Sequence, residues 1–534
     1  MQLRLSIVCA ALVLLAAPSY AQPAPVPARL VLLPDTTGPV ISRHIYGHFA
    51  EHLGRDIYDG FWVGEGSPIP NVRGIRTDIV DALKTVGVPN LRWPGGCFAD
   101  DYRWKNGIGP KAERPAVPNR WWGHVMEDNA FGTHEFMDLA DQLGAEAYIA
   151  GNLGSGSVQD MADWAEYLTA SDKSPMAELR RQNGREEPWK IPFFGVGNEN
   201  WGCGGNMNAA YYANEFKRYA TFVYRYGRGM KLVAAGPGAG YGGYGTDLEW
   251  TETLMREAGW MMGGYSLHYY TVTHNWSQKG SATEFEEADW FLTLKKATWI
   301  DSVIVAHSRV MDRYDPEKRV GIFMDEWGTW HDAEPGTPGY ALYQQNSLRD
   351  ALVAAISLNS FNNHADRVRG ANLAQTINVL QAMILTEGGR MLKTPTYHAF
   401  DLFRPHWDQT LVPSRIEGPT YAFGDDSMPA LTASVSRDSV GTSMHVTVSN
   451  ADPIRAVALR IPLDPNSMYL QAFIVTADRI QEHNTFDEPE RISKQSWSQL
   501  KREGDHALLT VPPKSVVSLT VINARRSTLR PSSR

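Results

Sequence analysis

Cysteine is scarce. The chain carries 3 in 534 residues, too few for a disulfide framework or a four-cysteine zinc site. Cys9 lies in the N-terminal apolar segment. Cys97 and Cys203 read as free, buried thiols, although an exported chain has the option of pairing them. Positive charge is also short: 51 Lys+Arg against 59 Asp+Glu leave a net charge of -8, with no basic footprint for nucleic acid or an anionic membrane surface. Long apolar runs are missing beyond the N-terminus. The one at Leu5–Ala17 falls well short of the roughly 20 residues that span a bilayer. With Arg4 before it and Ser19-Tyr20-Ala21 ahead of Gln22, it reads as a secretory signal. Residues 1–21 are therefore expected to be removed and the protein exported, to the periplasm or outside the cell, with no membrane anchor. No G-x-S-x-G elbow or P-loop is found.

What is present is a folded chain. A charged fraction of 21% with 17 Trp and 22 Tyr excludes a disordered polymer, and aromatics in such number suit either a large core or stacking on sugars. From about 40 to 400, short apolar runs ending in Gly, Asn, Asp or Glu alternate with helical patterns. The predicted strands are Ile45–Ala50, Asn90–Trp93, Ala145–Ala150, Phe193–Gly197, Lys231–Ala235, Tyr265–His268, Val320–Met324 and Ala371–Gln375. Helical segments between them include Thr77–Val86, Thr133–Leu143, Val158–Leu168, Ala209–Tyr226 and Asp289–Tyr314. Eight strand–helix units in one run predict an α/β fold, a closed (β/α)8 TIM barrel. An open doubly wound sheet fits less well, because polar residues decorate the ends of nearly every strand rather than one switch point. After about 405, short alternating β-branched runs separated by turn residues predict a C-terminal antiparallel β-sandwich of jelly-roll type. The expected organisation is a leader at 22–40 whose strand-like Ala28–Leu33 has the pattern to join the sandwich, a barrel at 41–404, a sandwich at 405–524 and a basic, disordered tail at 525–534.

Two carboxylates stand out. Phe193-Phe194-Gly195-Val196-Gly197-Asn198-Glu199 ends the fourth strand, and Gly321-Ile322-Phe323-Met324-Asp325-Glu326-Trp327 ends the seventh. In a barrel, that strand edge is where chemistry takes place. Strands three apart in a ring of eight face partly across its mouth, so Glu199 and Glu326 can flank one bond. Glycoside hydrolysis needs such a pair: one carboxylic acid to protonate the departing oxygen and one carboxylate to attack the anomeric carbon. Asn198 is placed to orient a sugar 2-hydroxyl, and Trp327 to wall the site from solvent. Taken singly, each glutamate is as well explained by a strand end paired to an arginine.

The same segments resemble the acid/base and nucleophile motifs of family 51 glycoside hydrolases, retaining α-L-arabinofuranosidases with a clan A type barrel and a C-terminal β-sandwich. The resemblance runs from about Ile45 to the C-terminus. It implies Glu199 as acid/base and Glu326 as nucleophile. His48-Phe49-Ala50-Glu51-His52-Leu53-Gly54-Arg55 resembles the family's first-strand segment, implying Glu51 on arabinose hydroxyls. Arg92-Trp93-Pro94-Gly95-Gly96 resembles the second, implying Arg92 behind the nucleophile. His268-Tyr269-Tyr270 matches the sixth-strand cluster, with Tyr270 favoured over Tyr269, and Asn372-Leu373-Ala374-Gln375 the last, implying Gln375 on the sugar. Many members have Asn where this chain has Cys97. A thiol bonds weakly, so that subsite contact is either lost or supplied by Asp100 or Asp101. Trp330, with Trp121 and Trp122, either lines the cleft or packs in the core.

Other motifs carry less. His48-x-x-Glu51-His52 fits a zinc pattern, but that chemistry needs a helix, and glycines bracket this segment. Gly238-Ala239-Gly240-Tyr241-Gly242-Gly243 satisfies G-x-G-x-x-G without the helix a dinucleotide site requires at its third glycine. The expectation is thus an exo-acting retaining α-L-arabinofuranosidase acting on arabinoxylan, arabinan or their oligosaccharides, with no metal or cofactor. Whether it forms a homo-oligomer stays open. The alternatives are an endo-glucanase or xylosidase on the same scaffold, or a non-catalytic sugar-binding protein.

Overall fold

Strands with apolar side chains on both faces need cover on both sides, and this chain supplies it by closing its sheet into a ring. The computed structural model describes residues 24–33, 38–227, 229–239 and 247–523. The ring strands are β1 (Gly47–Phe49), β2 (Asn90–Trp93), β3 (Glu146–Gly151), β4 (Phe193–Val196), β5 (Lys231–Ala234), β6 (Gly264–Thr271), β7 (Gly321–Thr329) and β8 (Val368–Leu373). Neighbours pair in parallel all the way round, β8 on β1, and β5 on β6 through Val233 and Gly264. The expected (β/α)8 barrel is what forms. Tyr148, Phe193, Val233 and Phe323 meet inside it as a plug. Phe323 takes the space opposite Gly264 and Gly370, where a Cβ would lie 2.7 and 2.5 Å from its ring.

The expected helices Thr77–Val86 and Thr133–Leu143 form with those bounds, and the long one spans Glu287–Tyr314. The sequence pattern missed Leu348–Asn363. All but its last residue are buried. A helix covered on every side has no polar stripe to betray its period. Its cover comes from the second domain, where Asn359 donates to Thr432 Oγ1 at 3.0 Å, Asn362 to Ser434 Oγ at 3.0 Å and Asn363 to the Ala433 carbonyl at 2.9 Å.

That domain packs two sheets over its own aliphatic core. In the five-stranded sheet Val26–Leu32 lies between Ser414–Glu417, antiparallel, and Val457–Pro462, parallel. The six-stranded sheet is centred on Ser443–Asn450 and Ser515–Asn523. Among the described residues no helix is long and apolar enough to cross a membrane. The signal-like residues 1–21, the basic tail and Gly240–Gly243 of the glycine-rich motif lie outside the described residues.

Asn362 also accepts from Tyr46 Oη at 2.7 Å, so it bridges barrel and sandwich while fully buried. Asn362→Ala strands both partners and is expected to cost roughly 1–3 kcal/mol, read as a lowered midpoint in urea unfolding.

Candidate active site

The carboxyl edge of the barrel gathers side chains from seven of its strands. On β6, the residues at 266, 268 and 270 alternate inward, as strand geometry requires. The register between β6 and β7 slips between Ser266 and His268, and that between β7 and β8 slips between Met324 and Trp327. These irregularities let two consecutive residues of β7, Asp325 and Glu326, both turn into the barrel. Trp327 then points outward, fully buried, stacked at 6.0 Å on Phe400 and edge-on at 5.2 Å to Phe361. It belongs to the helix layer. The expectation that it walls the site is therefore corrected by the alternation of the strand.

Beyond β4 the chain turns sharply. Gly197 has φ 87° and Glu199 φ 42°. A side chain at Gly197 would meet Asn200 Oδ1 at 2.1 Å, so glycine is required there. Asp100 locks this turn from below. It accepts from the backbone N–H groups of Leu153, Gly154 and Asn198, each at 2.7 Å, and from Asn200 Nδ2 at 3.2 Å. Burial pushes its carboxyl up to about 7, against the pull of those donors. Asp100 is thus committed to the loops, and Asp101 pairs with Arg120 at 3.4 Å.

Cys97 and Cys203 are half-buried and joined as a disulfide, which corrects the expectation of two free, buried thiols. The residues lie 106 apart in sequence but on adjoining loops, a proximity only the barrel creates. Cys203 Sγ is 3.6 Å from Glu199 Oε2.

Glu326 and Glu199 face one gap, with a carboxylate oxygen of each within 4.8 Å of the other. Arg92 donates to Glu326 Oε1 at 2.9 Å and to Asn198 Oδ1 at 2.6 Å. Tyr270 Oη donates to Glu326 Oε2 at 2.9 Å, whereas Tyr269 turns away to the Lys296 carbonyl at 2.6 Å. His268 Nδ1 lies 2.9 Å from Glu199 Oε1 and 3.5 Å from Glu326 Oε2. Burial alone would lower the His268 pKa, but Glu326, Asp325 and Glu199 outweigh it and push it up to about 10. Glu51 accepts from Gly96 N at 3.0 Å, Trp122 Nε1 at 3.1 Å and Gln375 Nε2 at 2.8 Å. Burial, helped by the neighbouring Glu326, pushes its carboxyl up to about 7. Trp330 is half-buried and stands edge-on to Tyr270 at 5.0 Å and to Trp276 at 5.3 Å, so it shares the rim of this gap.

Sequence reasoning passed over Asp325, Tyr148 and Ser266, which meet beneath the glutamates; the inward alternation of β6 was the signal for Ser266. Among the described residues, two sets have ligand atoms close enough to hold an ion: Cys97, Glu199 and Cys203, and Glu199, His268 and Glu326. Disulfide sulfurs offer no thiolate, and a charged imidazole offers no lone pair. The zinc-like trio does not converge: His48 lies against Phe400 at 5.1 Å, and His52 bonds Trp93 and Glu127, each at 3.2 Å.

Comparison with known proteins agrees with this geometry. Two family models match, an α-L-arabinofuranosidase 1 domain over residues 82–240 and an α-L-arabinofuranosidase C-terminal domain over 325–515. An intracellular exo-α-L-arabinofuranosidase of Bacteroides ovatus is 44% identical, over 92% of this chain and 95% of its own. The crystal structure of a GH51 arabinofuranosidase from Xanthomonas axonopodis pv. citri superposes with a TM-score of 0.90 at 45% identity, covering 93% of this chain and all of that one. An α-L-arabinofuranosidase from Thermotoga maritima, solved as an arabinose complex, gives 0.79 at 30% identity over 93% of this chain and 100% of its own. The Bacteroides relative overturns the expectation of a signal peptide and an exported protein, since a chain this similar over almost its whole length bears an intracellular name.

Gly96 sits against the gap, where a Cβ would lie 2.6 Å from Glu326 Oε1. Gly96→Ala should displace that carboxylate. On any aryl glycoside that the protein turns over, kcat/KM is expected to fall about 100-fold with the thermal melt little changed, since an ångström of misplacement costs that much.

Proposed function

Because this chain belongs to the α-L-arabinofuranosidases of glycoside hydrolase family 51, we propose that it releases terminal α-L-arabinofuranose, with retention, by double displacement. The observation that carries this is the approach of Glu199 and Glu326, with oxygens within 4.8 Å across one gap. Retaining enzymes hold their two carboxyl groups about 5–5.5 Å apart, too close to admit the water that inversion needs.

Glu326 attacks the anomeric carbon. Arg92 and Tyr270, each 2.9 Å from one of its oxygens, hold it in place while it gives up charge. Glu199 gives its proton to the leaving oxygen, then draws one from the water that opens the glycosyl–enzyme. Asn198, oriented by Arg92, faces the sugar's 2-hydroxyl. Glu51, fixed by Gly96 and Gln375, takes hydroxyls further round the ring. The half-buried Trp330 walls the rim. An exo-acting enzyme placed inside the cell, as the Bacteroides relative is named, meets arabino-oligosaccharides cut from arabinoxylan or arabinan, and these we take as its substrates.

Glu326→Ala is expected to bring turnover of 4-nitrophenyl α-L-arabinofuranoside to background. Glu199→Ala should lower kcat/KM, which reports the first step, about 10²–10⁴-fold with a poor leaving group and far less with dinitrophenolate, which departs without a proton. Equal losses on both would remove Glu199 from the acid role. In a panel of aryl arabinofuranoside, xyloside and glucoside, the first is expected to be cleaved fastest, and proton NMR of the first product should show the retained anomer.

A further inference from the structure

Behind His268, on the side away from Glu199, lies Asp325. Its Oδ1 is 3.3 Å from His268 Nε2 and accepts from Ser266 Oγ at 2.6 Å, while its Oδ2 accepts from Tyr148 Oη at 2.6 Å. Arg92 Nε stands 3.8 Å away, and the Asp325 side chain is 2% exposed. Tyr148 from β3 and Ser266 from β6 thus donate to one carboxylate that lies beneath the cleft, with two cations beside it, His268 from β6 and Arg92 from β2.

We propose, on the reading of Glu199 as acid/base and Glu326 as nucleophile, that Asp325 is a positioning residue: it takes the Nε2–H of His268 and so keeps a second N–H, on Nδ1, pointed at Glu199 through the whole cycle. A carboxylate behind an imidazole fixes both the ring's orientation and its charge. The charged groups round the ring agree. Glu199 faces it from the β4 turn, Asp325 and Glu326 from β7, Arg92 through those two β7 carboxylates, and Glu51 from behind Glu326. Tyr270, on the same strand as His268, bonds Glu326. Burial pushes the Asp325 carboxyl up, but Arg92 and His268 more than offset it and hold it below the usual carboxylate range.

The proton count closes without His268 losing either hydrogen. Glu199 passes its proton to the leaving oxygen, and the carboxylate it becomes is met at 2.9 Å by the Nδ1–H. In the second half Glu199 recovers a proton from the attacking water. The imidazolium stabilises the ionised form each time it appears, a charge-assisted bond worth more than a neutral one.

Asp325→Asn tests this with the full chain and histidine labelled with ¹⁵N, the His268 signals being assigned by their loss in His268→Gln. In the unmodified protein both His268 nitrogens are expected to stay protonated from pH 5 to 8, whereas in Asp325→Asn the ring should titrate within that range. With a poor leaving group, kcat of the variant should fall about 10- to 100-fold with KM little changed, and its alkaline limb should move to lower pH. With dinitrophenyl arabinofuranoside the loss in kcat/KM, which reports the first step alone, should be under about 3-fold, because that departure requires no proton from Glu199. An unmodified His268 that titrates between pH 5 and 8 overturns the proposal, whether or not the variant folds. So does an equal loss on both substrates. Failure of the underlying reading looks different, as undiminished turnover by Glu326→Ala with the His268 titration intact.

Discussion

Four carboxylates and two cations share a space almost closed to water. Glu51, Asp325 and Glu326 are buried and Glu199 is half-buried, and the charges that answer them are Arg92 and His268. Ionised groups so poorly hydrated are tolerable only when paired and hydrogen-bonded, because desolvation otherwise outweighs attraction. The Arg92 guanidinium divides its donors between Glu326 and Asn198, with Asp325 near its Nε, and His268 lies among three of the four acids. Take either cation away, and the barrel would hold repelling carboxylates that could not all ionise. Much of the surrounding structure can be read as what this cluster demands.

The demand is met by irregularity in an otherwise regular ring. A strict period of two would send Asp325 and Glu326 to opposite faces of β7, leaving one of them among the helices. The slips flanking this pair bring both inside, while Trp327 resumes the alternation. On the far side, Gly197 and Asp100 hold a turn in which Glu199 takes a left-handed backbone. Gly96 leaves the space that the Glu326 carboxylate fills. The site therefore draws on glycines and buried polar residues that never touch a sugar.

Support also comes from outside the barrel. The helix Leu348–Asn363 joins the ring to the sandwich through asparagines that find hydroxyl partners in the second domain. The strand Val26–Leu32 fastens the chain's beginning into that same domain. Those bonds hold that helix against the ring from outside, and carboxylates placed to within fractions of an ångström need such support.

The sequence by itself determined the repeating strand–helix order, the change to short alternating strands after residue 405, and the two glutamates at matching strand ends. Those features are local: periodicity, turn chemistry and residue type within a few positions carry them. The choice of Tyr270 over Tyr269 was legible too, because it stands two residues after His268 on one strand face. Tertiary structure alone decided that Cys97 meets Cys203 and that Asp100 serves the loops. It also decided that Asp325 enters the barrel beside Glu326 while Trp327 leaves it. Each of these depends on strand register and ring closure, which are set by contacts among segments far apart in the chain. A slip of one residue there exchanges the inner face for the outer, and nothing within a single stretch of sequence records it.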